Sequence, residues 1–534
     1  MMSIGLRMVS RALADELVEI YLKHFEGPIR ILHIPTFKKA YHDYWQNPND
    51  ASQDFVVQLQ LCLALGAVLY DETFTLRNLA TAWVYETQYW LMLPPEKGKM
   101  TLITIQIMCL LVLAKEACSV GSDLTWTMMG ALVRKATYMG LHRDPKYLAD
   151  MTVYKAEVRR RLWATILELN LQTSYDAGGT TFITEMDYDT LPPANLDDEQ
   201  LIDERSANET KEQPMDAYTQ TSVQLALMKS LPLRSKILNY VNALRAQDNY
   251  DEILQLNSEL IAACRQYTQT MLSFLGPNAG ALSEKNFVAA IGQILLCRCF
   301  HALHQGVVTR SIKDPRYMYS RKMYLDGSIM ILHAHGLLGS PRFKVYPAGK
   351  SLPRSPSVHR LSVNGAGMFR NIVVQSMFAV AVELLHQKEE QSSGLGFTTT
   401  VRDLDLLEPL EGALSWIRDR GRSGETSVKG HCFVSARVSH SIALGQGLAT
   451  QEIEAAILNA ATLAAKEGWD MLNEMAIRDG LSMEDNGELM MPDMDTMTDL
   501  LMDWTAWGES FAIFGLPGAM DDMGYVPSQL EATM

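Results

Sequence analysis

The amino-acid sequence predicts an all-α protein with an acidic, partly disordered C-terminal tail. Apolar residues recur at three- and four-residue spacing through most of the chain, which is the period of an amphipathic helix. We find no sustained alternation of apolar and polar residues of the kind that marks a half-buried strand. With 534 residues, of which 47% are hydrophobic and 20% charged, the chain has enough apolar material for a large core. We therefore expect one large helical domain or two fused ones.

The first part of the chain contains a series of predicted helices separated by glycine and proline. One helix should carry Tyr41, Tyr44 and Trp45, after a connector that contains Pro28 and Pro35. The other predicted helices cover about 12–25, 54–70, 73–92, 101–117, 122–140 and 155–177.

Two of these helices have predicted ends. Ser122 and Asp123 are candidate N-terminal caps, and Gly140 stands where a left-handed C-terminal cap is expected. The helix of 155–177 should end at the pair Gly178 and Gly179.

The second part of the chain is also predicted to be helical. The apolar pattern continues over 216–340, and further helices are expected at about 366–388, 404–419 and 451–477. A stretch rich in Pro, Ser and Gly at 346–367 predicts a long surface loop. The predicted divisions are a first half at 1–204, a polar hinge at 205–215, a second half at 216–478 and a tail at 479–534.

Cysteine usage and the N-terminal residues predict an intracellular, reduced protein. The seven cysteines are odd in number and stand mostly in apolar runs, which favours buried thiols over disulfides. Asp15, Glu16 and Glu19 come too early for the apolar part of a signal peptide. The apolar run 102–114 is shorter than a membrane span and is predicted to be a buried core helix, so no membrane is expected as a partner.

The tail holds most of the excess negative charge. The formal net charge is -15, and twelve acidic residues but no Lys or Arg follow Arg478. Acids alternate there with Met, Leu, Trp and Phe, a composition typical of acidic activation segments. Four apolar residues near helical spacing form a predicted docking face for a coactivator, namely Leu500, Leu501, Trp504 and Trp507. The alternative is a closing helix that packs on the core of the same chain.

No motif in the sequence supports catalysis or a cofactor. Cys297, His301 and His304 fall on one helical face with Cys299 beside them, but a fourth metal ligand is not evident and the apolar flanks favour a core helix. The acidic segment 196–204 lacks the third carboxylate of a magnesium-binding motif, because position 201 is Leu. Phosphate-binding loops, nucleophile elbows and zinc-protease motifs do not occur. We expect no metal, no cofactor and no enzyme.

Two blocks of the first 200 residues resemble a known family. The first block is ELVEIYLKHFEGPIRILHIPTFKKAYHDYWQNP at 16–48, and the second combines MMGALVRKATYMGLHRDP at 128–145 with the segment 156–201 that begins AEVRRRLWATILELNL. In content, order and spacing they resemble the middle homology region of fungal zinc-cluster transcription factors. The resemblance implies an all-helical regulatory domain in the nucleus that regulates transcription and restrains an activation segment. It also implies partners in the transcription machinery or a coactivator, and a homodimer or a heterodimer with a DNA-binding regulator.

The second block contains two groups of candidate site residues. The first group lies just after a predicted helix end, where His142 and Arg143 stand between Leu141 and the pair Asp144 and Pro145. His142 and Arg143 are expected to donate to the last carbonyls of that helix. Three consecutive arginines, Arg159, Arg160 and Arg161, fan around their helix. At least one should point inward and pair with an acid, for which the candidates are Asp187, Asp189, Asp197 and Asp198. The alternative, a contact with phosphate or DNA, has little support without further basic or aromatic neighbours.

The chain departs from this family at its start. Family members usually begin with a six-cysteine zinc cluster, whereas the first cysteine here is Cys62 and no Cys-x-x-Cys spacing occurs. This departure puts direct DNA binding in question. The function predicted from the sequence is that of a transcription regulator without its own zinc cluster, and the alternatives are an enzyme or a passive interaction scaffold on the same fold.

Overall fold

The described part of the molecule is entirely helical, as predicted. The structure is a computed structural model, and it describes residues 5, 7–94, 96–148, 151–201, 211–244, 249–275, 284–312, 314–338, 355–392 and 406–478. Within these ranges every regular element is an α-helix or a short 3-10 helix. The predicted tail at 479–534, the residues 205–210 of the predicted hinge and 346–354 of the predicted loop lie outside the described residues.

The α-helices follow one another in this order: α1 Arg11–His24, α2 Ile34–Gln46, α3 Gln53–Tyr70, α4 Arg77–Met92, α5 Leu102–Ala117, α6 Thr125–Tyr138, α7 Val153–Ala177, α8 Ser222–Val241, α9 Tyr250–Leu275, α10 Glu284–Val308, α11 Met318–Ala334, α12 Pro356–Asn364, α13 Asn371–Ser392, α14 Leu407–Arg422, α15 Lys429–Gly445 and α16 Thr450–Arg478.

Four helices of the first part begin with the same kind of cap. Ser10, Ser52, Thr101 and Thr152 each accept a hydrogen bond on the side-chain oxygen from an amide in the first turn, over 3.2 to 3.4 Å. Such a cap satisfies one of the amides that a helix leaves without a backbone partner. These caps explain why α1, α3, α5 and α7 begin close to their predicted positions.

The core lies around two helices that are apolar on nearly every side. In α3 the residues Val57 to Leu69 are buried, and α5 is buried from Ile107 to Ala117, which confirms the core helix predicted there. Gly66 allows α1 and α3 to cross closely, because a Cβ at this position would lie 2.1 Å from the Leu17 carbonyl oxygen. The largest apolar cluster runs from Ala14 to Ile372, so it draws on residues from both sides of the predicted hinge.

Three described segments are long and apolar enough to cross a membrane by length and composition alone. They are 53–70, 285–311 and 367–384, and 72%, 89% and 67% of their apolar windows are buried inside the protein. Their apolar surfaces therefore contact other helices of this chain.

Two predictions about local structure are wrong, and one helix was missed. Ser122 and Asp123 begin a short 3-10 turn, and α6 starts after Leu124 without a side-chain cap. The described part of the predicted surface loop contains α12, which begins at Pro356 and buries Val358 and Leu361. Proline is well suited to the first turn of a helix, so the residue that suggested a loop marks a helix start. The helix α15 was not predicted at all.

Candidate functional site

The two sequence blocks that carry the family resemblance meet at one buried carboxylate, Asp198. It is fully buried and accepts hydrogen bonds from the guanidinium groups of Arg30 and Arg161, and from the Ile34 amide at 2.7 Å. His33 Nε2 lies 2.9 Å from the Asp198 carbonyl oxygen. Asp198 therefore ties the start of α2 and the connector before it to α7.

The charge of Asp198 is stabilised by its partners. Burial alone would raise the pKa of Asp198, but Arg30 and Arg161, with the Ile34 amide, outweigh burial and hold the pKa below its ordinary value. The carboxylate is thus ionised at neutral pH. Arg161 pairs with one of the four carboxylates that the sequence nominated for the arginine group.

The connector between α1 and α2 folds around a second buried carboxyl, Glu26. Its oxygens accept from the Tyr21 hydroxyl and from the amides of Ile31 and Leu32, at 3.0 and 2.8 Å. Arg30 lies 3.8 Å away. Arg30 also contacts Asp198, so the connector is held by two buried carboxyls, Glu26 and Asp198.

Glu157 holds the segment that leads to Asp198. Its Oε1 accepts from Arg161 Nε at 3.1 Å and from the Ala194 amide at 3.0 Å. Arg161 Nη2 donates to the Leu196 carbonyl at 3.1 Å. Glu157 and Arg161 therefore fix the irregular segment around 194–198 against the first turns of α7.

The end of α6 is capped differently from the prediction. Gly140 adopts the expected left-handed conformation with φ of 75°, and the Gly140 and Leu141 amides donate to the carbonyls of Thr137 and Ala136. The carbonyl of Met139 accepts from Arg159 Nη2 at 2.8 Å.

The side chains of His142 and Arg143 do not cap that helix, so this prediction is wrong. Arg143 Nε pairs with Asp189 at 2.9 Å, and the His142 ring lies beside Trp163 with 6.3 Å between ring centroids. Because Arg159 reaches the helix end across the helix interface, the cap comes from the next helix and not from the adjacent sequence.

Asp144 and Arg160 form a two-point ion pair behind the same turn. Arg160 Nε and Nη2 each lie 3.0 Å from an oxygen of Asp144. Asp144 also accepts from the amides of Lys146 and Leu191, and Pro145 is buried next to it. Burial would raise the pKa of Asp144, but Arg160 and these amides lower it to about 2. All three arginines of the predicted group thus have internal partners.

A second set of buried charges joins α7 to α8 and α10. Glu168 and Arg234 form two parallel hydrogen bonds of 2.7 and 2.8 Å, and Arg298 pairs with Asp176 at 2.6 Å. Glu116 at the end of α5 is fully buried near this pair. Burial and the neighbouring Asp176 raise the pKa of Glu116 to about 8.

The sequence motif that suggested a metal is part of the core. His304 lies 2.9 Å from both Ser320 Oγ and Asn257 Oδ1, and the His301 ring lies 4.3 Å from that of Tyr324. Burial lowers the pKa of His301 to about 3. In the parts of the chain that the structure describes, no three His, Cys, Asp or Glu side chains are grouped as metal ligands would be. In the other candidate motif, Asp198 is already bound by two arginines.

The sequence analysis missed several members of the network, notably Arg30, Glu26 and Glu157. A signal existed for Glu157, which stands four residues before Arg161 on α7, the spacing of paired charges on a helix face. Glu26 and Arg30 have the same spacing but lie in the connector between α1 and α2. The predicted docking face formed by Leu500, Leu501, Trp504 and Trp507 lies outside the described residues.

Comparison with known families gives a match over much of the network. The family described as "Fungal specific transcription factor domain" matches residues 18–279. This range includes Glu26, Arg30, the three arginines and Asp198.

Curated relatives match more of the chain. Over 381 residues the chain is 33% identical to transcription factor lepE of Aspergillus flavus, with 70% of this chain and 44% of the relative covered. It is 32% identical over 392 residues to transcription factor opdR of Penicillium oxalicum, with 72% and 48% covered. It is 29% identical over 362 residues to the aspyridones cluster regulator apdR of Emericella nidulans, with 65% and 47% covered. The chain spans about half the length of these relatives, and no solved structure matches it.

Proposed function

This chain belongs to the fungal specific transcription factor domain family, and from that premise we propose that it is a pathway-specific regulator of transcription that acts in the nucleus. The observation that carries the proposal is the family match over 18–279 together with relatives that are named transcription factors. One relative is named as the regulator of a gene cluster. A biosynthetic gene cluster is therefore the class of target that we propose.

The proposed mechanism places regulation in the helical body and activation in the tail. The Asp198 network joins the connector before α2 to α7. We therefore expect a displacement of one of these two segments to displace the other. A ligand or partner that prefers one arrangement of the body would shift the exposure of the tail by its difference in affinity. The predicted divisions at 204, 215 and 478 are part of this proposal.

We propose that the chain reaches promoters through a protein partner, either as a homodimer or as a heterodimer with a DNA-binding regulator. Internal bonding of the arginine group supports this, because Arg159, Arg160 and Arg161 contact a helix end, Asp144 and Asp198. Phosphate binding requires cations that face the nucleic acid. The proposal gives the chain no catalytic step, and the transcription machinery or a coactivator is the partner of the tail.

The test is a reporter assay in a fungal host. Residues 479–534 are fused to an unrelated DNA-binding domain, and a second fusion carries the substitutions Leu500→Ala, Leu501→Ala, Trp504→Ala and Trp507→Ala. We expect activation by the first fusion and its loss in the second, because large apolar side chains between acids supply the contact with a coactivator groove.

The control is a fusion of the same length in which Met490, Met491, Met494 and Met497 become Ala instead. Equal activity of the two substituted fusions would show that Leu500, Leu501, Trp504 and Trp507 do not form the docking face. If the unsubstituted tail and the whole chain are both silent at equal nuclear abundance, the activator proposal fails and the alternatives are a passive scaffold or an enzyme.

A further inference from the structure

The backbone between α12 and α13, called here the 365–370 connector, lies directly on the buried carboxyl of Glu116. The Ala366 amide donates to the Glu116 carbonyl oxygen at 2.7 Å, and the Met368 amide donates to Glu116 Oε2 at 3.2 Å. Gly367 stands between them, and an added Cβ at this position would lie 2.7 Å from Glu116 Cδ. The connector therefore covers this carboxyl with its backbone.

A second acid holds the end of the same connector. Asp176 Oδ1 accepts from Asn371 Nδ2 at 3.2 Å, at the first residue of α13, and from Arg298 Nη2 at 2.6 Å. The other oxygen, Asp176 Oδ2, is buried and has no hydrogen-bond partner within the described parts of the chain. Glu116 and Asp176 thus hold the connector and the start of α13, and one carboxylate oxygen at this junction is not satisfied.

The charged groups around Glu116 leave its carboxyl without a dedicated cation. Arg298 from α10 favours ionisation of Glu116, but its guanidinium is bound to Asp176. Arg370 in the connector lies 3.5 Å from Glu425 and pairs with that carboxylate. Burial, together with the charge of Asp176, therefore prevails and raises the pKa of Glu116 to about 8.

Ionisation of Glu116 requires water at its oxygens. A carboxylate loses its hydration when it is buried, and two hydrogen bonds, from Thr125 and Met368, replace that hydration only in part. The 365–370 connector is short and contains a single 3-10 turn, whereas α5, α7 and α10 are helices of 16 to 25 residues. Short irregular segments open locally at a lower free-energy cost than whole helices. The connector is therefore the part of the cover that should move.

The connector also joins two apolar clusters. Met368 and Ile372 belong to the largest cluster of the molecule. Val373, the next residue along α13, belongs to a second cluster that contains residues of α11, α14 and α15. A displacement of the start of α13 would therefore reach the second cluster.

We propose that the 365–370 connector is a movable cover over Glu116, which opens when this carboxyl ionises and displaces the start of α13. The step is the loss of one proton from Glu116 to a base in the solvent, and no covalent bond between heavy atoms changes. The proposal goes beyond the proposed function and does not depend on it.

The experiment is amide hydrogen exchange of the full chain, read by mass spectrometry between pH 6 and pH 9. Glu116 has a pKa of about 8 under the closed connector and should regain its ordinary value of 4.5 in the open one, so the open fraction rises with pH. After correction for the intrinsic pH dependence of exchange, protection of peptides from the connector should fall by about a hundredfold.

Two comparisons separate local opening from global unfolding. Peptides from α3, which is buried from Val57 to Leu69, report global unfolding and should stay better protected than the connector at every pH. Dilute urea should hardly change exchange of the connector, because local opening exposes little surface.

Three variants test the role of the carboxyl. Glu116→Gln should abolish the pH-dependent fall, since the amide does not ionise and keeps an acceptor for the connector. Asp176→Asn should reduce the fall to about tenfold if the charge of Asp176 contributes one pKa unit, which is a factor of ten. The control is Glu86→Gln, which changes a buried glutamate of α4 that accepts from Gln60 and should retain the full fall.

The proposal is overturned if the connector exchanges at the same rate as α3 at every pH, or if its corrected protection does not fall between pH 6 and pH 9. A fall in Glu116→Gln as large as in the wild type would also overturn it. The wild type alone decides the first two points, so a variant that fails to fold does not leave the question open. Transcription is not measured, so this outcome and that of the regulator proposal are independent.

Discussion

Asp198 and Glu116 are both fully buried carboxyls, yet the structure places them in opposite charge states. Asp198 is bound by two guanidinium groups and a backbone amide. Among the described residues, the Glu116 carboxyl accepts from the Thr125 hydroxyl at 3.0 Å and the Met368 amide at 3.2 Å. The pKa of Asp198 is lowered, whereas burial and Asp176 raise the pKa of Glu116 to about 8.

The difference shows that burial alone does not decide whether a carboxyl is ionised. Removal from water favours the neutral acid, and cations and hydrogen-bond donors at the oxygens oppose this effect. The region around Asp198 supplies them from α7 and the connector before α2. In the region around Glu116, burial and a second acid, Asp176, raise the pKa to about 8, so this carboxyl is mostly protonated at neutral pH.

The largest effect is expected from Asp198→Asn. The amide removes the negative charge that Arg30 and Arg161 share, so these buried cations would have to rely on Glu26 and Glu157 alone among the described carboxyls. We expect a loss of about 3–5 kcal/mol in the free energy of unfolding, measured by urea denaturation. The control is Asp189→Asn, which changes a partly exposed ion pair with Arg143 and should cost at most about 1 kcal/mol. Equal costs for the two variants would contradict the role of Asp198.

A pH titration of stability should separate the two regions. The raised pKa of Glu116 means that its contribution is fully present below its ordinary value of 4.5 and is lost as the pH rises through about 8. Between about pH 6 and pH 9 the wild type should lose roughly 2–3 kcal/mol more than Glu116→Gln. Asp198 has the opposite sign: its contribution is present above 3.8 and is lost as the pH falls through the lowered pKa. Parallel curves for wild type and Glu116→Gln would show that Glu116 does not titrate in this window.

Gly367→Ala tests how tightly the Glu116 region is packed. Gly367 has a φ of 48°, and an added Cβ would lie 2.7 Å from Glu116 Cδ. We expect a loss of about 2 kcal/mol from backbone strain and overpacking, measured by urea denaturation. The matched control is Gly306→Ala in α10, where an added Cβ meets nothing within 4 Å and should stabilise the helix by up to about 1 kcal/mol. Similar losses at both positions would argue against close packing at Gly367.

The smallest effect is expected from Glu116→Gln at neutral pH. Because the native carboxyl is already neutral, the amide keeps its size and an acceptor for the Met368 amide. The free energy of unfolding should change by less than about 1 kcal/mol. A loss as large as that of Asp198→Asn would mean that Glu116 is ionised, and the contrast between the two regions would disappear.

The helices of the first part were largely predictable from the sequence, since α3, α5 and α7 combine long apolar patterns with hydroxyl caps. The helix α12 was not, because Pro356 at its start and Gly365 at its end are also typical of loops. Only the tertiary packing of Leu361 separates the two possibilities.

The site was predictable in kind but not in detail. An inward arginine paired with an acid near 187–198 followed from the pattern of charges around α7. That Arg159 would cap α6 instead of His142 or Arg143 depends on how α6 and α7 pack, and a helix contact of this type has no local sequence signal. The raised pKa of Glu116 likewise arises from its burial and from Asp176, which is distant in sequence.

The most direct test of the regulator proposal measures transcription of a reporter gene. Two fusions to an unrelated DNA-binding domain are compared, one with the whole chain and one with residues 1–478. The account predicts that the whole chain activates the reporter and that the fusion without the acidic tail does not, at equal nuclear abundance. Silence of the whole chain, or equal activation by residues 1–478, would contradict it.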